Sequence, residues 1–275
     1  MPRQHDSHGA ADIHHKGTPV SLIADASLGT SLSPVGPVTA CKICGELARL
    51  HGVVDFNKTC EANRDRFFPL AGIPVWYHRC TNCQFLFSEQ FDHWTADMFR
   101  QHIYNADYLQ VDPDAAGSRA RGNVSGMIGL ARRVNAVRVL DYGGGDGTLA
   151  RGLTENGIDA VSWDPMRDNE PAPPAGGFDL VSAYEVLEHT PTPLQTCAQA
   201  LSFLRPGGLF VFSTLTQDDL RPQACDYWYI APRNGHISIH TSRSLELLFA
   251  RLGRKVQHFN ALMHLAYPDP AVSGG

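Results

Sequence analysis

Two cysteine pairs, Cys41-x-x-Cys44 and Cys80-x-x-Cys83, stand at the spacing that lets two thiolates from one tight turn reach a single ion. Together they supply four thiolates, the closed tetrahedral set of a structural zinc site and not a catalytic site with an open position. Reduced, buried cysteines are the plainer alternative, and iron is the lesser one. Cys60 has no place in such a shell, because the two pairs already fill it. Cys197 falls within a helical pattern and reads as a small core residue. Cys225 sits in the stretch QACDYWYI, where packing outweighs a place beside a substrate. A second chemical cluster is the run Asp141-Tyr142-Gly143-Gly144-Gly145-Asp146-Gly147. Its glycines permit positive φ and let backbone N–H groups approach a bound molecule closely. An acid, Asp164, follows at the end of the next strand pattern, where a carboxylate accepts bonds from two ribose hydroxyls.

Elements that can position these residues are readable from the hydrophobic period. From residue 136 apolar strands alternate with amphipathic helices, as in a largely parallel sheet with helical crossovers. AVRVLDY reads as a strand leading into the glycine run, and GTLARGLTENG as a helix ending on a glycine stop. VSWDP and FDLVSAYEV read as strands, TPLQTCAQALSFLRPGG as a helix closed by Pro and Gly, and LFVFSTL as the strand after it. Thr241 or Ser242 caps a helix SRSLELLFARLG, and strands through KVQHFNAL and HLAYP follow. This order predicts an open, doubly wound α/β domain whose ligands lie beyond the carboxyl ends of the strands.

The acid ahead of the glycines separates D-x-G-x-G-x-G from the dinucleotide pattern G-x-G-x-x-G, and a carboxylate there suits a cationic amino acid end better than a pyrophosphate. V-L-D-Y-G-G-G-D-G resembles the first motif of class I S-adenosylmethionine-dependent methyltransferases. F-D-L-V-S-A-Y-E-V-L-E-H (Phe178 to His189) and L-R-P-G-G (Leu204 to Gly208) resemble their later motifs. The resemblance spans residues 136 to about 267. It implies a Rossmann-like class I methyltransferase sheet with helices on both faces, ahead of which the cysteine pairs predict a small zinc-binding module. It also implies that Asp141, Gly143 and Gly145 line the methionine and adenosyl portions of S-adenosylmethionine, that Asp164 takes the ribose, and that Glu185 faces cofactor or acceptor. MRDNEPAPPAGG, between Asp164 and Phe178, is too Pro-rich for an ordinary helix and strand, so the family's usual third strand is expected to be lost or rebuilt. A cysteine-paired module ahead of such a domain resembles the sugar C-methyltransferases that act on nucleotide-linked deoxysugars; the likeness covers residues 41 to 267 and not the further carboxy-terminal domain of those enzymes.

Methyl transfer from a sulfonium is an in-line displacement, and an O- or C-acceptor also needs a base. The loops after the strands offer Glu185, His189, Tyr227, Tyr229, His236 and His240. In GHISIH the two histidines fall four apart, on one face if the chain is extended. His236 is the favoured base because Gly235 before it allows a close backbone approach. Glu185 and Tyr227 are the companion catalytic candidates, with Tyr227-Trp228-Tyr229 as a wall of the pocket. Glu188 and His189 are expected to stabilise the turn into the next helix.

Bulk properties bound the partners. The 275 residues are 43% hydrophobic, enough for one α/β core and a smaller module. A net charge of -5 and the lack of any Lys/Arg-rich run leave no footprint for nucleic acid or an anionic membrane, so the expected partner is a small-molecule substrate. No apolar run is long enough to span a bilayer, and the cysteine usage fits a reducing compartment, which gives a cytoplasmic expectation. The expected division is a disordered tail at 1–39 containing His5, His8, His14 and His15, a zinc-binding module at 40–90, a helical connector at 91–135 and the methyltransferase domain at 136–270. A catalytically silent S-adenosylmethionine-binding scaffold is the alternative of another class, and a nicotinamide-dependent oxidoreductase is disfavoured by the loop.

Overall fold

The structure, a computed structural model, describes Leu32 and residues 36–115, 117–167, 171–219 and 225–271. The four histidines of the expected tail lie outside the described residues. The end of that segment does not: Val38 and Thr39 belong to a first strand, β1 (Val38–Ala40). It is followed by β2 (Leu47–Asp55), β3 (Pro74–Cys80) and β4 (Leu86–Phe87), an antiparallel meander. The connector is helical, with α1 (Ala96–His102), α2 (Tyr108–Val111) and α3 (Ser118–Arg133).

Then come β5 (Arg138–Tyr142), α4 (Thr148–Glu155), β6 (Asp159–Trp163), β7 (Phe178–Tyr184), α5 (Pro193–Ser202) and β8 (Leu204–Ser213). The chain ends with β9 (Ser238–Ile239), α6 (Ser242–Ala250), β10 (Arg254–His258) and β11 (Met263–Pro268). Thr241 caps α6 through a reciprocal capping box with Ser244.

Six strands form one sheet in the order β10-β11-β8-β7-β5-β6. β5, β6, β7 and β8 run parallel, and β10 and β11 antiparallel. Alternate residues feed two cores. Val139, Leu180 and Val211 face Met127 and Ala131 of α3 and Leu149 and Leu153 of α4. Leu140, Val181, Phe210 and Phe212 face Cys197 and Ala200 of α5 and Leu245, Leu248 and Phe249 of α6. Helices thus cover both faces of a Rossmann-like sheet, which explains why β7 is apolar and buried almost throughout. The sheet order reverses at β5, so the crevice between the ends of β5 and β7 is the switch point where ligands of such sheets bind. β6 is an edge strand, and the described residues at 164–167 and 171–177 form no strand. Among the described residues no helix is long and apolar enough to cross a membrane.

The cysteine-bearing meander is not self-contained. Its sheet has the order β1-β2-β3-β4-β9, with Leu86 opposite Ile239 and Phe87 opposite Ser238, so its last strand comes from the segment after β8. Cys41, Ile43, Cys80, Cys83 and Phe85 share one core with α5, α6 and the larger sheet.

Candidate functional site

Asp141 stands at the carboxyl side of β5, opposite Ser162 of β6 and Ser182 of β7. It is buried, and Ser182 donates its hydroxyl to Oδ1 at 3.0 Å. Burial, above the modest relief from that bond, pushes its carboxyl up to about 7. The chain then turns sharply across Gly143 to Gly147. Gly143 has φ 69°, and a Cβ there would lie 2.6 Å from Cγ2 of Val186; one at Gly144 would collide with Asp141 and Ser162. Gly145 donates its N–H to Oδ2 of Asp164 at 3.1 Å, while Oδ1 of Asp164 accepts from the Met166 N–H at 2.8 Å. The sequence-predicted cofactor residues Asp141, Gly143, Gly145 and Asp164 therefore meet at the switch point.

Glu185 sits just past β7 with φ 54°, a left-handed conformation uncommon for a side-chain-bearing residue. Its Oε1 accepts from the Ser213 hydroxyl at 3.0 Å, and Arg119 of α3 lies 3.4 Å from Oε2 while forking onto Asp112. Sequence reasoning missed Arg119, because nothing local to it marks the pairing.

His236 is buried, and its Nδ1 lies 3.0 Å from the Tyr229 carbonyl. A carbonyl only accepts, so this contact places the ring proton on Nδ1 and leaves Nε2 as the basic nitrogen. Burial, then the neighbouring His189, holds its pKa well below the ordinary imidazole value. The structure brings to it two residues that were expected to serve a turn. Glu188 and His189 lie in a short 3₁₀ turn (Leu187–His189) ahead of α5; Glu188 is buried, His189 is half-buried, and both also face His236. The His189 and His236 rings are 4.8 Å apart, and one ligand-type atom from each of Glu188, His189 and His236 falls within 4.8 Å of the others. Glu188 Oε1 accepts from the Tyr229 hydroxyl at 2.6 Å, but Glu188 Oε2 and His189 Nδ1 have no hydrogen-bond partner. Burial, then Glu185, pushes the Glu188 carboxyl up to about 8, and burial takes His189 down to about 4. Two orphaned buried atoms beside a basic imidazole nitrogen make a donor set suited to a divalent cation.

Other candidates are placed differently. The tyrosine reaching Glu188 is Tyr229; Tyr227 is half-buried against Trp228, and its carbonyl accepts from the Lys58 ammonium at 2.7 Å. His240 does not share the site with His236: its ring packs 4.8 Å from Phe85, and only two residues between the histidines are strand. Cys60, unplaced by the pairing argument, has its Sγ 3.5 Å from Nδ1 of His236. Cys197 is buried in the core as read, and Cys225 packs beside Gly52, with the His51 carbonyl 4.0 Å from its Sγ.

The four paired cysteines converge on one point. Sγ separations are 3.6 Å for Cys41–Cys83, 3.4 Å for Cys44–Cys80 and 3.7 Å for Cys44–Cys83. Four thiolates about 2.3 Å from a central zinc stand about 3.8 Å from one another, so the cluster needs only slight expansion to take the ion. Backbone N–H groups of Ile43, Asn82 and Cys83 point at Cys41 or Cys80 sulfurs at 3.4 Å, which favours thiolates.

Comparison with known proteins agrees with this geometry. A methyltransferase-domain family model matches residues 115–258, just over half of the chain. The chain is similar to the ubiquinone biosynthesis O-methyltransferase of Burkholderia multivorans, 32% identical over 121 residues, covering 42% of this chain and 48% of that protein. It is similar to the Bradyrhizobium sp. protein of the same name at 30% identity over 139 residues, covering 42% and 53%. The matched segments thus span about half the length of these relatives. Among solved structures, the Burkholderia thailandensis 1,6-didemethyltoxoflavin-N1-methyltransferase with bound S-adenosylhomocysteine matches at 16% identity and a TM-score of 0.45, covering 69% of this chain and 98% of that one. With its motif positions gathered at the switch point and the family matched over 115–258, this chain belongs to the methyltransferase-domain family.

Proposed function

We propose that the protein is an S-adenosylmethionine-dependent methyltransferase that transfers a methyl group to a small-molecule or sugar-like acceptor, in the cytoplasm, with a zinc-stapled module at 40–90 ahead of the methyltransferase domain at 136–270. The observation that carries this reading is the buried Asp141 beneath the glycine turn, with Asp164 held against the turn by Gly145. Asp141, Gly143 and Gly145 take the methionine and adenosyl portions, Asp164 the ribose, and Glu185 the cofactor–acceptor boundary. His236 serves as base or orients the acceptor. S-adenosylmethionine supplies the electrophilic methyl group; the chain's part is to hold the acceptor in line and exclude water. Incubation with methyl-labelled cofactor and a metabolite extract should label a small molecule. Labelled nucleic acid, or tight binding of a nicotinamide dinucleotide and none of S-adenosylmethionine, would sink the proposal.

Asp164→Ala should weaken S-adenosylhomocysteine binding by roughly ten- to a hundredfold, since charged hydrogen bonds of this kind are worth about 1.5–3 kcal/mol. Calorimetry on the two proteins checks this, and an unchanged affinity removes Asp164 from the site.

Asp141 gives the cofactor affinity a pH dependence. Its carboxyl is raised from 3.8 to about 7, and the cationic end of S-adenosylmethionine prefers the carboxylate. Affinity should therefore fall as pH drops below 7, approaching about tenfold per unit, with a proton released on binding in that range. The sign for the cofactor-free fold is opposite: between 3.8 and about 7 the folded chain holds a proton that the unfolded chain has lost, so this group's contribution to stability declines as pH rises through that window. Calorimetry in buffers of different ionisation enthalpy measures the proton, and a flat affinity from pH 5.5 to 8 (about two and a half units) contradicts the assignment.

A second reading of the acceptor side is favoured by the orphaned Glu188 Oε2 and His189 Nδ1. These atoms and His236 would hold a divalent cation that lowers the pKa of an acceptor hydroxyl. Magnesium or manganese should then restore activity to chelated protein whose four-cysteine site is still filled; full activity without either ion rejects this reading.

A further inference from the structure

We propose that Tyr77, together with the β4–β9 pairing, makes the four-cysteine cluster a positioning element for His236, acting on the acceptor side of the site and not on the cofactor side. The inference rests on the reading of His236 and of the cysteine cluster given above.

The link is short and buried. Tyr77 lies on β3, three residues before Cys80, and its hydroxyl donates to the His236 carbonyl at 2.7 Å. Both residues are buried, so this bond has little competition from water. Past Cys83 the chain forms β4, whose partner β9 starts two residues after His236, and the Ser88 N–H donates to the Ile237 carbonyl at 3.0 Å. The Cys83 carbonyl itself accepts from the Thr241 hydroxyl at 2.7 Å, the same side chain that caps α6. His236 is thus fixed from before Cys80 and from after Cys83, and a metal ion binding those two cysteines sets the hairpin that carries both anchors. On the other side the Ile237 N–H donates to the Glu188 carbonyl at 3.0 Å, which ties the same segment to the turn bearing the orphaned atoms. The glycine loop is held by other means: Asp141 by Ser182, Gly145 by Asp164, and the Gly143 N–H by the Trp163 carbonyl at 2.8 Å, all on strands of the six-stranded sheet or the turns that directly follow them.

The test compares wild type, Tyr77→Phe and Phe249→Leu, the last a core substitution that lowers stability but removes none of the hydrogen bonds of the link. Each is labelled with nitrogen-15 histidine, and the His236 ring signals are identified by their loss in His236→Ala. Chelating the zinc from wild type should shift or broaden the His236 signals, while the Kd for S-adenosylhomocysteine stays within about twofold. Tyr77→Phe should move the same signals with zinc still bound. It should also slow single-turnover methyl transfer to the acceptor found with the labelled extract on the order of 10- to 100-fold, as for a reacting group displaced by about an ångström. Phe249→Leu should leave the His236 signals at their wild-type positions. Wild-type signals and turnover in metal-loaded Tyr77→Phe would overturn the proposal, as would an equal change in Phe249→Leu. If the metal-free chain loses the whole module, Tyr77→Phe decides alone. If S-adenosylhomocysteine does not bind any of the proteins, the methyltransferase reading has failed, while the histidine spectra still decide the link.

Discussion

His236→Ala is expected to leave cofactor affinity nearly unchanged and to lower turnover by roughly 10²- to 10⁴-fold, the range for a lost acid–base group. The separation follows from where the residue sits. His236 is reached through Tyr229, Cys60 and Tyr77, while the glycine loop is held by Ser182 and Asp164. With Nδ1 turned to the Tyr229 carbonyl, Nε2 has the lone pair, and burial keeps the ring neutral across the physiological range. A neutral imidazole is what both a base and a cation ligand require. The two roles diverge on added metal: a base lost to alanine is not restored by millimolar magnesium, whereas a weakened cation site is partly refilled by mass action. A residue that merely packs gives a third pattern, with melting temperature, cofactor affinity and turnover falling together. Turnover in the variant within about threefold of wild type, on a preparation whose melting and cofactor affinity are unchanged, rules out both chemical roles.

How far this site was legible depends on the range of the interactions that build it. The strand–glycine–helix unit from Arg138 to Glu155 is local, because positive φ at Gly143 and the start of α4 are written within a dozen residues. The cysteine pairs were legible for the same reason, each being a tight turn of four residues. β9 was not: two residues carry no period, and its partner β4 lies some 150 residues earlier in the chain. That pairing fixes the backbone just after His236, and the proximity of His236 to Cys60 and Tyr77 is likewise long-range, so it was out of reach of any local argument. Glu188 and His189 were legible as turn residues, but their approach to His236 was not. Charged residues just before a helix usually serve as solvated turn residues, but here they come within five residues of the end of a strand buried almost throughout, and the carboxyl end of such a strand is where ligands bind. That position was the available signal. Spacing alone also puts His240 on one face with His236, but the backbone between them is extended for only two residues and the His240 ring packs against Phe85 instead.

Cys83→Ser should lose the metal and, with it, much of the order of the amino-terminal module. Cys83 is fully buried, its Sγ lies within 3.7 Å of both Cys41 and Cys44, and its backbone carbonyl holds Thr241. Serine presents a hard hydroxyl that stays protonated near neutral pH, so the tetrahedral shell drops to three thiolates and zinc affinity collapses. Structural zinc contributes about 10–16 kcal/mol in isolated zinc-finger peptides, where it is the whole source of stability. The module here also shares an apolar core with α5 and α6, so the loss should be smaller and should show as early melting of residues 40–90 with the larger sheet retained. Cys197→Ser is the control: that thiol is equally buried in the same core but lies outside the cluster, so it should cost stability by burying a hydroxyl and leave the metal in place. Elemental analysis should find about one zinc per chain in wild type and in Cys197→Ser, and close to none in Cys83→Ser. Hydrogen exchange across β2 and β3 then reports whether the module opens. Wild-type protein purified without chelator that proves metal-free, with unchanged exchange in those strands, would mean that the four thiols are packed cysteines and that the shared core alone holds the module.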